Sequence, residues 1–164
     1  MKGVLVNCSN CGAPMKFVDG RDYFVCPFCT TFHFSKPDQD GVRVFESHSR
    51  AKCPRCQTAL AAATVEGKSV LHCETCKGLL ATNGAFGHIV RVRRERYGRS
   101  TVSPVPIDPK ELDRRISCPA CQRPMDTHPY YGPGPVVVDT CPECELIWLD
   151  HGELATIERA PGSM

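Results

Sequence analysis

Residues 118–154 read CPACQRPMDTHPYYGPGPVVVDTCPECELIWLDHGEL: two C-x-x-C pairs, Cys118/Cys121 and Cys141/Cys144, separated by 19 residues and followed by a short apolar tail. A C-x-x-C at a tight turn points two thiolates at one ion, and two such turns facing each other complete a tetrahedron. Between the pairs, Tyr130-Tyr131 and Val136-Val137-Val138 flank Gly132-Pro133-Gly134. That pattern predicts two extended arms joined by a turn. The expected unit is a β-hairpin carrying two metal-binding knuckles.

Working outward, the same unit occurs twice more. Cys8/Cys11 with Cys26/Cys29 and Cys53/Cys56 with Cys73/Cys76 are separated by 14 and 16 residues. Typical zinc-ribbon spacings are about 15 to 20. Met15, Leu60 and Met125 stand at one offset after the first pair of each copy. The turns read Asp19-Gly20 and Glu66-Gly67, with Phe17-Val18 and Tyr23-Phe24-Val25, then Thr64-Val65 and Val70-Leu71, as the arms. The expected fold is small, metal-bound and β-rich, with three tandem zinc ribbons and three structural Zn2+ sites that use all twelve cysteines as ligands.

Units of roughly 30 to 45 residues bury too little apolar surface to offset their ordering entropy without a metal or disulfides. Structural zinc supplies on the order of 10 to 16 kcal/mol in small fingers. Iron in a rubredoxin-like site is the rival, since Cys26, Cys53, Cys118 and Cys141 each begin a C-P-x-C knuckle. Only Cys11-Gly12 has the following glycine that redox tuning favours. A thioredoxin-like role needs a βαβ context that the pattern lacks.

Met1 to Asn10 has no long apolar run before Cys8, and no stretch approaches the ~20 apolar residues of a membrane span. A reducing, cytoplasmic setting with no membrane role is expected. The formal charge of +2 hides an asymmetry. Residues 51–99 carry nine basic and three acidic groups, whereas 100–164 carry five and ten.

The domain expectation is ribbon 1 over 1–36, a polar linker 37–50, ribbon 2 with a basic helix over 51–98, a proline-containing linker 99–116, and ribbon 3 with a short helix over 117–164. Copies two and three share a C-terminal extension, Cys76 to Phe86 and Cys144 to Leu154. Thr82 is placed to cap a helix running to about Tyr97, and Asp150, three before Glu153, to cap another. The prolines at 104, 106 and 109 suggest that ribbon 3 tumbles independently.

The third copy, through Ile147-Trp148-Leu149-Asp150-His151-Gly152-Glu153-Leu154, closely resembles the transcription-factor-IIB-like zinc-ribbon family of bacterial proteins. The resemblance covers residues 117–159. Copy two, 52–97, is a weaker relative, with Leu80, Thr82 and Ala85 where copy three has Trp148, Asp150 and Glu153. Copy one, 7–34, looks like a generic zinc ribbon, similar to small ribbons of RNA polymerase subunits. The resemblance implies cysteine-bound zinc and a short docking helix, not a transcription activity.

The leading functional reading is a non-enzymatic zinc-binding adaptor that mediates protein–protein contact, with a link to transcription. The alternative is nucleic-acid binding through Arg91, Arg93, Arg94, Arg96 and Arg99. On a helix, Phe86, Ile89, Val90 and Tyr97 would face inward while Arg91 and Arg94 share an outer face. Such runs are more often solvated faces, and the opposed charges offer a third use, docking of the basic segment on acidic ribbon 3. Trp148 reads as a core anchor, with Asp150 and Glu153 as structural or partner-contact residues. The six histidines, His33, His48, His72, His88, His128 and His151, share no ligand spacing. Of these, His72 and His151 are the candidates to replace a cysteine. Four thiolates per site leave no open coordination position, so catalysis is not expected.

Overall fold

The described residues form ten strands, two α-helices and one 3-10 helix. The computed structural model describes residues 6–97, 105–132 and 134–161. Ribbon 1 contributes β1 (Lys16–Phe17), β2 (Tyr23–Val25) and β3 (Phe32–Phe34), paired antiparallel in the order β1-β2-β3. The remaining strands are β4 (Arg43–Lys52), β5 (Ala59–Val65), β6 (Lys68–His72), β7 (Leu79–Thr82), β8 (Asp126–Pro129), β9 (Val137–Cys141) and β10 (Leu146–Leu149). They form one seven-stranded antiparallel sheet in the order β4-β5-β6-β7-β10-β9-β8.

Ribbons 2 and 3 are therefore halves of a single sheet. β7 and β10 pair edge to edge, with Leu79, Leu80, Ala81 and Thr82 opposite Leu149, Trp148, Ile147 and Leu146. Leu80 and Trp148 each stand four residues after the last cysteine of their ribbon. Equivalent positions thus meet across a pseudo-two-fold axis, as in an isologous dimer interface. The independent third ribbon expected from the prolines is not what forms, because both edges are apolar and bury each other.

Period-2 alternation sorts the side chains onto two faces. One face packs Val65, Val70, Leu79, Ala81, Val138, Ile147 and Leu149 against α1 (Asn83–Tyr97) and α2 (Glu153–Arg159), through Phe86, Ile89, Val90, Leu154 and Ile157. The other gathers Leu60, Leu71, Leu80, Met125, Leu146 and Trp148 around the second and third cysteine clusters. Ribbon 1 packs Val6, Met15 and Phe24 on Phe45 and Ala62.

Both presumed linkers are structured where described. Of the 37–50 segment, residues 43 onward enter β4, which pairs with β5 through two register shifts. Val44 and Phe45 pack inward while Glu46, His48 and Arg50 face solvent, so a polar composition conceals a half-buried strand. Of the 99–116 segment, Pro109–Asp113 is a 3-10 helix capped by the Asp108 side chain on the Lys110 N–H. Arg114 then enters the interior beside it. Tyr130-Tyr131, expected in an arm, lies past the end of β8, and its place is taken by Asp126–Pro129.

Candidate metal centres

The three cysteine sets are Cys8, Cys11, Cys26, Cys29; Cys53, Cys56, Cys73, Cys76; and Cys118, Cys121, Cys141, Cys144, with the sulfurs of each within 4.8 Å of one another. Sulfur–sulfur distances are 3.5 Å for Cys8/Cys29 and Cys11/Cys26, 3.6 Å for Cys53/Cys76 and 3.7 Å for Cys121/Cys141. A tetrahedron with Zn–S bonds of about 2.3 Å has edges of about 3.8 Å, so the donor sets fit zinc in number, softness and size. They are structural zinc sites. Neither His72 nor His151 belongs to a cluster. His72 is buried behind Cys73, and its ring is pushed below the ordinary imidazole value, first by burial and then by Lys77. His151 is exposed, 3.7 Å from Asp40.

Each knuckle is built by the same turn. The residue after its second cysteine is left-handed in all six: Gly12, Thr30, Gln57, Lys77, Gln122 and Glu145 have φ between 52° and 73°. In five of them its N–H donates to the carbonyl of the first cysteine, at 2.8–2.9 Å. That curl frees other amides to face sulfur. Arg55 and Cys56 donate to Cys53 Sγ at 3.4 and 3.3 Å, Cys76 to Cys73 Sγ at 3.5 Å, and Ala120 to Cys118 Sγ at 3.4 Å. Such bonds favour the thiolate that zinc requires. In ribbon 1 the Thr31 hydroxyl, 3.2 Å from Cys29 Sγ, is the first cause that lowers this thiol to about 6, its backbone N–H the second.

Met15, Leu60 and Met125 are all buried beneath their clusters, as their common offset implied. Trp148 is fully buried on the dyad, with its ring against Gly78. Asp150 does not cap α2: the N-cap is Gly152 and no side chain closes the helix start. Its carboxylate instead accepts from Trp148 Nε1 at 3.0 Å and pairs with Arg114 and, at 2.7 Å, Arg55. Glu153 supplies one half of a capping box, accepting the Asp150 N–H at 2.7 Å. Thr82 caps α1, accepting the Ala85 N–H at 3.2 Å.

Arg114, which the sequence reading passed over, joins these groups. It pairs with buried Asp139 at 2.7 Å, lies 3.9 Å from Glu153, and donates to the Val137 carbonyl at 3.1 Å. Thr127 donates to Asp139 at 2.5 Å. Arg114 thus ties the chain segment entering ribbon 3 to the W-L-D-x-G-E tail leaving it.

The arginine cluster divides. Arg93 and Arg94 are buried, which reverses the expectation that Arg94 faces outward. Positions 86, 89, 90, 93 and 94 continue one helical stripe, so the inward face runs on into the arginines. Arg93 pairs with Glu158 of α2 at 2.9 Å and Glu66 at 3.2 Å, and donates to the Asp40 carbonyl. Arg94 donates to the Ile157 and Ala160 carbonyls at 2.9 and 3.0 Å, satisfying the C-terminal end of α2. Arg96 pairs with Glu66 at 2.8 Å, and Arg91 is exposed beside His88. Arg99 lies outside the described residues.

A cysteine-bound hairpin written three times, two copies sharing a sheet, defines the class as a tandem zinc-ribbon protein. Residues 117–160 match the family model of the transcription factor zinc-finger of TFIIB type. No curated protein and no solved structure matches the chain. No helix among the described residues is long and apolar enough to cross a membrane.

Proposed function

We propose that this chain is a cytoplasmic, non-enzymatic zinc adaptor in which ribbons 2 and 3 form a platform and ribbon 1 presents a contact surface to a protein partner. The observation that carries this reading is a cluster of exposed aromatics on ribbon 1: Phe28, Phe32 and Phe34 are 75%, 53% and 67% exposed. Tyr23 packs against the last two with ring centroids 5.6 and 5.1 Å away. Clustered aromatic surface of this kind marks protein interaction sites. The match of ribbon 3 to a transcription factor zinc-finger supports a place in a transcription assembly.

Nucleic-acid binding through the arginines of α1 loses support, because Arg93 and Arg94 are committed to α2. Exposed Arg91, with Arg96 already paired to Glu66, is too little for a phosphate-tracking stripe. The test is affinity capture with the zinc-loaded full chain, beside a Phe28→Lys/Phe34→Lys variant, followed by identification of the captured proteins. A partner captured by the wild type and lost by a variant that keeps three zinc ions is the expected result. Equal capture by both, or retention on random DNA that an Arg91→Gln/Arg96→Gln variant abolishes, would overturn the reading.

A further inference from the structure

The two sheets have four outer edges among the described residues, β1, β3, β4 and β8. Natural sheets blunt such edges with charge, proline or shortness. β1 is two residues long and bears Lys16; β4 turns Glu46, His48, Arg50 and Lys52 to solvent; β8 begins at Asp126 and ends at Pro129. β3 has none of these protections beyond its length. It reads Phe32-His33-Phe34, with both phenylalanines exposed and their rings stacked 6.1 Å apart.

The chain already shows what this repeat does with its third strand. β3, β7 and β10 occupy the same place, and His33, Leu80 and Trp148 each follow the last cysteine of their ribbon by four residues. The hydrogen-bond phase agrees. The Cys73 N–H bonds to the Gly78 carbonyl at 2.9 Å, and in the alternation of an antiparallel pair this turns Leu80 toward its own ribbon and Leu79 and Ala81 outward. Those outward groups meet β10, where the Asn83 N–H bonds to the Glu145 carbonyl at 2.9 Å in the same phase. In ribbon 1 the Cys26 N–H bonds to the Thr31 carbonyl at 2.8 Å, so His33 bonds inward to β2 and Phe32 and Phe34 turn their backbone groups outward.

We propose that β3 pairs antiparallel with β3 of a second copy of this chain, centred on His33, in the register that β7 and β10 use. Phe32 of each copy then stands opposite Phe34 of the other, and two three-stranded sheets become one of six strands. The His33 side chain is not disturbed, since it points to the opposite face and packs on Phe45 at 5.4 Å. The Tyr23 rings extend the aromatic layer on the joined face. The proposal rests on reading the ribbon 1 aromatic face as a contact surface, and it names the occupant of its strand edge.

Sedimentation of the zinc-loaded full chain over a concentration series tests it. The expected result is a reversible dimer that Phe32→Lys/Phe34→Lys converts to monomer, while Phe28→Lys, on the knuckle of the same ribbon, leaves it dimeric; all three proteins keep three zinc ions. Amide exchange on the wild type gives a readout independent of variant folding. Exchange at the Phe32 and Phe34 N–H should slow with rising concentration, and that at His33 should not. A wild-type monomer at every concentration, or a dimer indifferent to the double substitution, would refute the pairing. A monomer whose ribbon 1 still captures another protein would refute the dimer and leave the adaptor reading standing. A dimer that captures no other protein would do the reverse.

Discussion

Arg114 faces three carboxylates, Asp139, Asp150 and Glu153, and only Arg55 adds a second positive charge, at the Asp150 end. One carboxylate is in surplus inside a partly buried network, where an uncompensated charge is costly. Glu153 takes the proton: burial is the main cause raising it to about 8, the Asp150 N–H opposing and the Asp150 charge assisting. Its folded value therefore lies far above the unfolded value of about 4.3. The stability it contributes is full below the unfolded value and is lost as pH rises through about 8. Glu153→Gln, which mimics the protonated acid, should already exceed wild type in thermal melts at pH 6, where the unfolded acid is ionised, and exceed it by on the order of 3 kcal/mol more at pH 9. Equal melting differences at the two pH values would show that Glu153 stays ionised. The left-handed knuckle residue yields a second prediction at this scale. Thr30, β-branched at φ 58°, occupies a position that suits glycine, and Thr30→Gly should stabilise ribbon 1 by about 1 kcal/mol in melts at full zinc loading. Only Gly12 announced that conformation in sequence, because zinc geometry imposes it on whatever residue follows the cysteine. The Asp150/Glu153 spacing was likewise legible as a helix start, but the diversion of Asp150 was not. Its partner Arg114 lies 36 residues upstream, in a stretch read as linker.

Strands β7 and β10 turn two marginal ribbons into one sheet, and the contact leaves no room at Gly78. A Cβ built there would stand 2.3 Å from Trp148 Cζ2. Gly78→Ala must displace the largest fully buried side chain among the described residues from the pseudo-dyad, and overpacking of this kind costs about 1 to 3 kcal/mol. Trp148→Ala instead opens a cavity and should cost about 3 to 5 kcal/mol. Urea unfolding of zinc-loaded protein distinguishes both from a surface change. If Gly78→Ala leaves the midpoint unmoved, the edge pairing of ribbons 2 and 3 is not what holds that ring. Hairpins, knuckles and the capped helix after Thr82 could be read from the chain because local spacing fixes them. The pairing could not, since an apolar third strand such as Leu79-Leu80-Ala81 suits a hidden edge and an exposed docking edge equally well. The arginines mislead for the opposite reason. A stripe of 86, 89, 90, 93 and 94 is plain in the sequence, but charge argued for solvent, and it takes Glu66, Glu158, the Asp40 carbonyl and the end of α2 to make burial tolerable.

Across the whole molecule, the cysteine clusters fall into two thermodynamic groups. The second and third line one hydrophobic cluster, with Leu80 and Trp148 between them, whereas the first sits in a separate cluster with Phe24 and Phe45. Zinc binding in small ribbons is folding free energy, so a site that shares its core with another also shares its fate. Ribbon 1 touches the rest through Phe45, Ala62 and a turn-to-turn contact, in which the Gly20 N–H donates to the Gly67 carbonyl at 3.2 Å, the Gly67 N–H donates to the Asp22 carboxylate at 3.0 Å, Lys68 pairs with Asp19 at 3.2 Å and Arg43 with Asp22 at 3.4 Å. Those contacts are few beside a shared four-residue strand pair and two packed helices. Cys53→Ser should therefore lower zinc content by more than one ion per chain and broaden amide resonances in ribbon 3 as well as ribbon 2, including the Leu146 to Leu149 strand. Cys11→Ser should release one ion and leave β7 and β10 protected from exchange. Chelator titration of the wild type should accordingly remove one zinc in a first step and two together in a second. Three equal, independent steps would mean that the joined sheet does not couple its metals, and the shared core around Trp148 would then have to persist without them.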